Sequence, residues 1–279
     1  MDPLISASEL ATQLDLADQV ILDATFFLPG QGRSAFDDYL AEHIPGSRFF
    51  DIDRIADQET DLPHMLPKAE AFAEAVGKLG ISNNTQVVIY DNNVFMASAR
   101  VWWMFKIFGH TRIKVLDGGL HHWKQSGFRV DSCAPPIGEG SYKAHFNPAL
   151  VKTFDEVKAA VETETSKIID ARPAGRFKGI EAEPRAGLRS GHIPGSTNLF
   201  FKILLDEETH RLRPPDEILE IFTAQSIVPG ESLILSCGSG VTAAILSLAL
   251  ATIEYPDSPI YDGSWSEWGR PGHHPVDTH

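Results

Sequence analysis

One cysteine stands where a nucleophile is expected. Cys237 lies in the run Leu233-Ile-Leu-Ser-Cys-Gly-Ser-Gly-Val-Thr-Ala243. An apolar, strand-like stretch ends on the sulfur, two glycines follow at once, and a helix pattern runs from Val241 through Ala251. Backbone N–H groups in such a turn point inward beneath the positive end of a helix. Those conditions lower a thiol pKa and hold a usable thiolate. Gly238, Ser239, Gly240, Val241 and Thr242 can supply the ring of donors, because glycine lets the backbone curl tightly. The alternative is a buried cysteine that merely ends a core strand. Two glycines so close to the sulfur weigh against it, since they pack poorly and favour close approach of backbone to ligand.

Phosphatase loops of the Cys-x5-Arg type also place a thiolate in a ring of amides, with an arginine to clamp the phosphate. Here Gly, Ser, Gly, Val, Thr and Ala follow Cys237, and the arginine is missing. That argues against phosphoryl chemistry. The other cysteine, Cys133, lies in a Pro/Gly-rich stretch.

Positive charge comes from a different segment, Arg172-Pro-Ala-Gly-Arg176-Phe-Lys-Gly-Ile-Glu-Ala-Glu-Pro-Arg185. The chain as a whole carries a formal net charge of −14. Such a surface repels nucleic acid and anionic membranes, and it repels a small anionic substrate unless a local cationic cluster reverses the field. Guanidinium groups are the natural partners of a planar carboxylate. Surface ion pairing with Glu181 and Glu183 is the competing use of Arg176 and Arg185. Arg189 reads as a solvated or structural charge.

The chain has 279 residues, 43% hydrophobic and 22% charged, an ordinary globular composition of a size that suits two domains. Two cysteines cannot build a disulfide framework, so buried apolar area must hold the fold. No signal-like N-terminus is visible, and the apolar run Ala243–Ile253 is too short for a membrane span, which needs about 20 residues. A free reactive thiol suits a reducing compartment, and a cytoplasmic location is expected.

The elements that must position Cys237 are written twice. Ile21-Leu-Asp-Ala-Thr25 matches Ile168-Ile-Asp-Ala-Arg172, and His43-Ile-Pro-Gly-Ser47 matches His192-Ile-Pro-Gly-Ser196. Val87-Val-Ile-Tyr-Asp91 matches Leu233-Ile-Leu-Ser-Cys237, and Leu116-Asp-Gly-Gly119 with Trp123 matches Tyr261-Asp-Gly-Ser264 with Trp268. Asp23 and His43 are 20 residues apart, Asp170 and His192 22. The division expected is a first domain over 1–133, a linker over 134–148 and a second domain over 149–279. Strands are predicted at Val20–Asp23, Val87–Asp91 and Lys114–Leu116, and helices at Lys68–Leu79 and Ala97–Phe108. Alternating strands and helices predict an α/β fold in which each half is a mainly parallel sheet covered by helices on both faces. Chemistry in such sheets sits at the carboxyl ends of strands, where Asp91 and Cys237 both fall. The His-Ile-Pro-Gly blocks occur in both halves, so their role is structural. They lack the Cys/His spacing of a zinc site.

These tandem Asp-Ala, His-Ile-Pro-Gly and Asp-Gly-Ser-Trp blocks resemble the two-domain sulfurtransferases of the rhodanese superfamily. The Cys-Gly-Ser-Gly-Val-Thr loop is similar to that of the 3-mercaptopyruvate branch. The resemblance covers nearly the whole chain. It implies two tandem rhodanese-like domains, the second catalytic and the first a decayed copy with Asp91 in place of Cys237. It implies that Arg176 and Arg185 hold the carboxylate and ketone oxygen of 3-mercaptopyruvate, and that Asp53, His64 and Ser239 form a relay beside Cys237. Asp53 lies in Phe49-Phe-Asp-Ile-Asp53 and His64 in Asp61-Leu-Pro-His64-Met-Leu-Pro67. The reaction implied passes sulfur through a persulfide on Cys237 to a thioredoxin-like protein, a small thiol or cyanide, with no metal or organic cofactor. Two alternatives stay open: a thiosulfate:cyanide sulfurtransferase, whose family loop carries basic residues where Gly238 and Ser239 stand, and a non-catalytic sulfur-carrier or interaction protein.

Overall fold

The computed structural model describes residues 2–28, 31–95, 97–228, 230–272 and 274–278. The chain divides into two compact units. The first comprises Met1–Gln58, Pro67–Asn147 and Asp206–Leu212; the second comprises Glu59–Leu66, Pro148–Leu205 and Arg213–His279.

In the first unit the strands are β1 (Leu4–Ile5), β2 (Gln19–Asp23), β3 (Arg48–Phe49), β4 (Gln86–Tyr90) and β5 (Ile113–Leu116). They form one sheet in the order β1-β5-β4-β2-β3, with every pairing parallel. In the second unit β6 (Val151–Lys152), β7 (Lys167–Asp170), β8 (Thr197–Asn198), β9 (Leu233–Ser236) and β10 (Ile260–Tyr261) follow the same order, β6-β10-β9-β7-β8. Its pairings are also all parallel. Central strands are apolar without alternation: all four residues of β9 are buried, as are Val87–Tyr90 of β4. That pattern belongs to a sheet covered on both faces. Helix Ala243–Thr252, behind β9, is buried from Ala243 to Leu250.

The repeat runs deeper than the four sequence blocks. Ser6 caps helix Ala7–Ala11 by accepting the Glu9 N–H, and Thr153 forms a full capping box with Glu156 at the start of helix Phe154–Thr163. His43 pairs with Asp131 and His192 with Asp277 in isolated antiparallel bridges, so each His-Ile-Pro-Gly turn ties down the tail of its own unit. Trp123 in one core and Trp268 in the other are fully buried.

Predicted elements agree to within a residue at β2, β4, β5 and the helices Ala69–Lys78 and Ser98–Ile107. The two-residue strands β1, β3, β6, β8 and β10 carry too short a run to show a period, and the sequence does not reveal them. The helix after Cys237 starts at Ala243, which leaves Val241 and Thr242 in the loop. Among the described residues no helix is long and apolar enough to cross a membrane.

Candidate active site

Strand β9 delivers Cys237 at its carboxyl end, with the side chain 1% exposed. The chain then turns through Gly238–Thr242 and enters helix Ala243–Thr252. Gly240 has φ +72°, a left-handed conformation that only glycine adopts freely. A clasp from residues 264–266 holds the turn. Ser264 Oγ accepts the N–H of Cys237 at 3.2 Å and that of Gly240 at 3.1 Å, and donates to the Tyr261 carbonyl at 2.7 Å. The Trp265 N–H donates to the Cys237 carbonyl at 3.0 Å. Both the N–H and the Oγ of Ser266 donate to the Gly238 carbonyl, at 2.8 and 2.6 Å.

Within this clasp the Gly240 N–H, one of the expected ring of donors, reaches the Ser264 hydroxyl. Ser264 was missed as a site residue, although a signal existed in the repeat. Its counterpart is Gly119, with φ +55°, and Ser264 holds nearly the same backbone at φ +48°. A serine kept in a glycine conformation costs about 1–2 kcal/mol, so its hydroxyl has a use there.

The arginine cluster separates into different roles. Arg172 is not part of a cationic pocket. Its side chain is 1% exposed and bonds Asp170 through Nε and Nη2, Glu183 through Nη1 at 2.7 Å and the Gly191 carbonyl at 2.8 Å. It also lies 4.2 Å over the Trp265 ring. Burial opposes its charge, but Asp170 and Glu183 outweigh that and raise its pKa further. Arg189 is structural as expected, donating to the His274 and Trp268 carbonyls. Arg176 and Arg185 are the two that reach the loop. A Cβ placed on Gly238 would lie 3.3 Å from Arg176 Nη2 and 4.0 Å from Arg185 Nη1. Arg176 does pair with Glu183, but that carboxylate is 2% exposed, so the contact is buried and not on the surface.

Of the three relay residues, Ser239 is 7% and His64 8% exposed, and both belong to the second unit. The segment carrying His64 is fixed there by the Leu66 N–H on Asp262 Oδ2 at 2.8 Å and by Arg270 on Asp61 at 3.0 Å. His64 has φ +60°. Asp53 is exposed and lies in the first unit; its N–H donates to Asp51 Oδ1. The first unit contains a copy of the histidine segment that the sequence did not reveal. His210 has φ +58°, and the Leu212 N–H donates to Asp117 Oδ1 at 3.0 Å. The left-handed histidine is therefore a repeated turn, and its backbone pose alone does not mark a relay.

A Rhodanese-like domain matches the chain twice, over residues 6–126 and 153–270. The protein belongs to the rhodanese family. Both rhodanese-like domains share the strand order given above, and the loop after β9 is the one that carries a cysteine. A 3-mercaptopyruvate sulfurtransferase of Escherichia coli K12 is 41% identical over 274 residues, covering 98% of this chain and 97% of that protein. The mitochondrial thiosulfate/3-mercaptopyruvate sulfurtransferase 1 of Arabidopsis thaliana is 41% identical over 298 residues, covering 99% and 78%. The crystal structure of the E. coli 3-mercaptopyruvate sulfurtransferase SseA superposes with a TM-score of 0.87 at 39% identity, covering 96% of this chain and all of that one.

Proposed function

We propose that this rhodanese-family protein is a 3-mercaptopyruvate sulfurtransferase with Cys237 as its nucleophile. The observation that carries the reading is the convergence of Arg176 and Arg185 on Gly238, the residue next to the sulfur. Two guanidinium groups at that point suit a donor with a carboxylate and a keto oxygen, and the neutral Gly238 and Ser239 leave room for it.

In the first half-reaction the Cys237 thiolate attacks the donor sulfur. The S–S bond forms as the C–S bond breaks, and its electron pair leaves on carbon as the enolate of pyruvate. Arg176 and Arg185 stabilise the negative charge that develops on the oxygens. Solvent protonates the enolate. In the second half, a thiolate of a small thiol or thioredoxin-like protein, or cyanide, attacks the outer sulfur and the Cys237 thiolate leaves. Covalent catalysis of this kind gives ping-pong kinetics. Asp53, His64 and Ser239 enter this proposal as the relay that the family resemblance implies, with His64 polarising the Ser239 hydroxyl. Domain limits of 1–133 and 149–279 and a reducing, cytoplasm-like compartment complete it. Both cysteines are free, which suits such a compartment.

The test compares 3-mercaptopyruvate with thiosulfate at a common acceptor. A higher kcat/KM for 3-mercaptopyruvate is expected, and Arg185→Leu should lower it far more than the value for thiosulfate. A preference for thiosulfate overturns the choice of donor. A protein that takes up sulfur on Cys237 without turnover is a carrier and not an enzyme.

A further inference from the structure

Glu183 is a carboxylate with no surface role. Its side chain is 2% exposed, and it lies between two arginines. Oε1 accepts from Arg172 Nη1 at 2.7 Å and from Arg176 Nε at 3.2 Å, and Oε2 accepts from Arg176 Nη2. Arg172 cannot move, since Asp170 at the end of β7 and the Gly191 carbonyl hold its other nitrogens. A chain of charge-assisted bonds therefore runs from the sheet through Asp170, Arg172 and Glu183 to Arg176. Such bonds are roughly twice as strong as neutral ones. They grip the Nε/Nη2 edge of Arg176, whose side chain keeps 20% exposure.

The grip matters because of what faces it. Arg176 Nη2 stands 3.3 Å from where a Cβ of residue 238 would be. A free arginine would yield to a side chain there by swinging away. A tethered one cannot, so the tether and the glycine next to Cys237 are two halves of one arrangement.

We propose that Glu183 is a positioning residue that sets donor selectivity by holding Arg176 against the Gly238 turn. The inference rests on the donor reading above. Glu183 touches no donor; it acts by removing the freedom that Arg176 would otherwise lose on binding a carboxylate. It is also a negative charge near an anion site, and by that effect alone its removal would tighten binding of every anionic donor.

The two effects have opposite signs, so one experiment separates them. KM and kcat are measured for 3-mercaptopyruvate and thiosulfate in wild type, Glu183→Gln, Arg176→Met and the double variant. Glu183→Gln is expected to raise the ratio of the 3-mercaptopyruvate KM to the thiosulfate KM about tenfold, the loss of one charge-assisted bond. It should add less than about twofold in the Arg176→Met background, because coupled residues are non-additive. A fall in KM for both donors shows that Glu183 acts as a plain charge and overturns the proposal. An equal fall in kcat for both donors shows a structural role and overturns it too. Should Glu183→Gln fail to fold, Gly238→Ala replaces it: a tethered Arg176 raises the same KM ratio, whereas an unchanged ratio means the arginine moves freely and the proposal is wrong. A wild type inert toward 3-mercaptopyruvate refutes the functional reading; an active wild type with an unmoved ratio refutes this inference alone.

Discussion

Asp91 fills in the first unit the place that Cys237 fills in the second, and its carboxylate closes the loop that follows it. Oδ1 accepts the N–H groups of Asn93 and Phe95, each at 3.1 Å, and Oδ2 accepts those of Ala97 and Ser98 at 3.2 and 2.8 Å. The loop has a ring of donors and satisfies it with an anion from its own side chain. In the second unit the residue at that position is a cysteine, a weak acceptor, and Ser264 takes two of the loop amides.

Replacing Asp91 with alanine leaves three buried N–H groups, of Phe95, Ala97 and Ser98, and the half-buried one of Asn93 without their acceptor. Asp91→Ala should destabilise the protein by about 2–4 kcal/mol, given the cost of unsatisfied buried donors. Chemical denaturation measures the loss. Catalytic constants at a temperature where the variant stays folded should remain near wild type, because Asp91 belongs to the first unit's own loop.

Ser264 gives a pair of variants with different signatures. Ser264→Ala keeps the left-handed strain and loses the hydroxyl; Ser264→Gly relieves the strain and loses it as well. Both should lower kcat by about 10- to 100-fold, within the range seen when a donor-positioning contact is removed. Thermal melting should place Ser264→Gly above Ser264→Ala. Wild-type kcat in either variant would show that the clasp does not matter to turnover.

Asp23 predicts a pH dependence of stability. It is buried at the end of β2, where Asp170 of the second unit has the Arg172 guanidinium and Asp23 has neutral donors: the Thr25 N–H, which it accepts at 2.8 Å, and the Tyr90 hydroxyl. Burial pushes its pKa up to about 6, with the nearby Asp91 adding to the effect. The folded state therefore holds this proton to higher pH than the unfolded chain, whose carboxylate titrates near ~4. Stability should fall as pH rises from about 4 to about 6 and then level off, a loss on the order of 2–3 kcal/mol. Asp23→Asn should flatten that slope and be the more stable form at neutral pH. Urea midpoints across the range measure it.

Cys237→Ser should abolish turnover with either donor while the melting temperature moves by only a few degrees, since the substitution is nearly isosteric. Retained turnover would remove Cys237 from the mechanism. Intact-mass measurement after donor treatment should find the added sulfur on wild type and not on the variant.

Local pattern carried much of this protein. Strands β2, β4 and β9 declare themselves by unbroken apolar runs, and the Cys237 loop by glycines that only a tight turn requires. The tandem repeat follows from blocks at matched spacing. Arg172, Arg176 and Arg185 look alike in sequence, by contrast, and nothing local says that the first is locked on Asp170 while the other two reach Gly238.

The sequence by itself determined the repeated α/β architecture and the strand end that bears the sulfur, because periodicity and backbone preference are properties of short segments. Only the tertiary structure decided which charges neutralise one another, that Ser264 reaches back 27 residues to clasp the loop, and that the His64 segment packs with the second unit. Those outcomes depend on where separate elements meet. Side chains of the same type acquire different roles according to what the fold brings within about 3 Å of them.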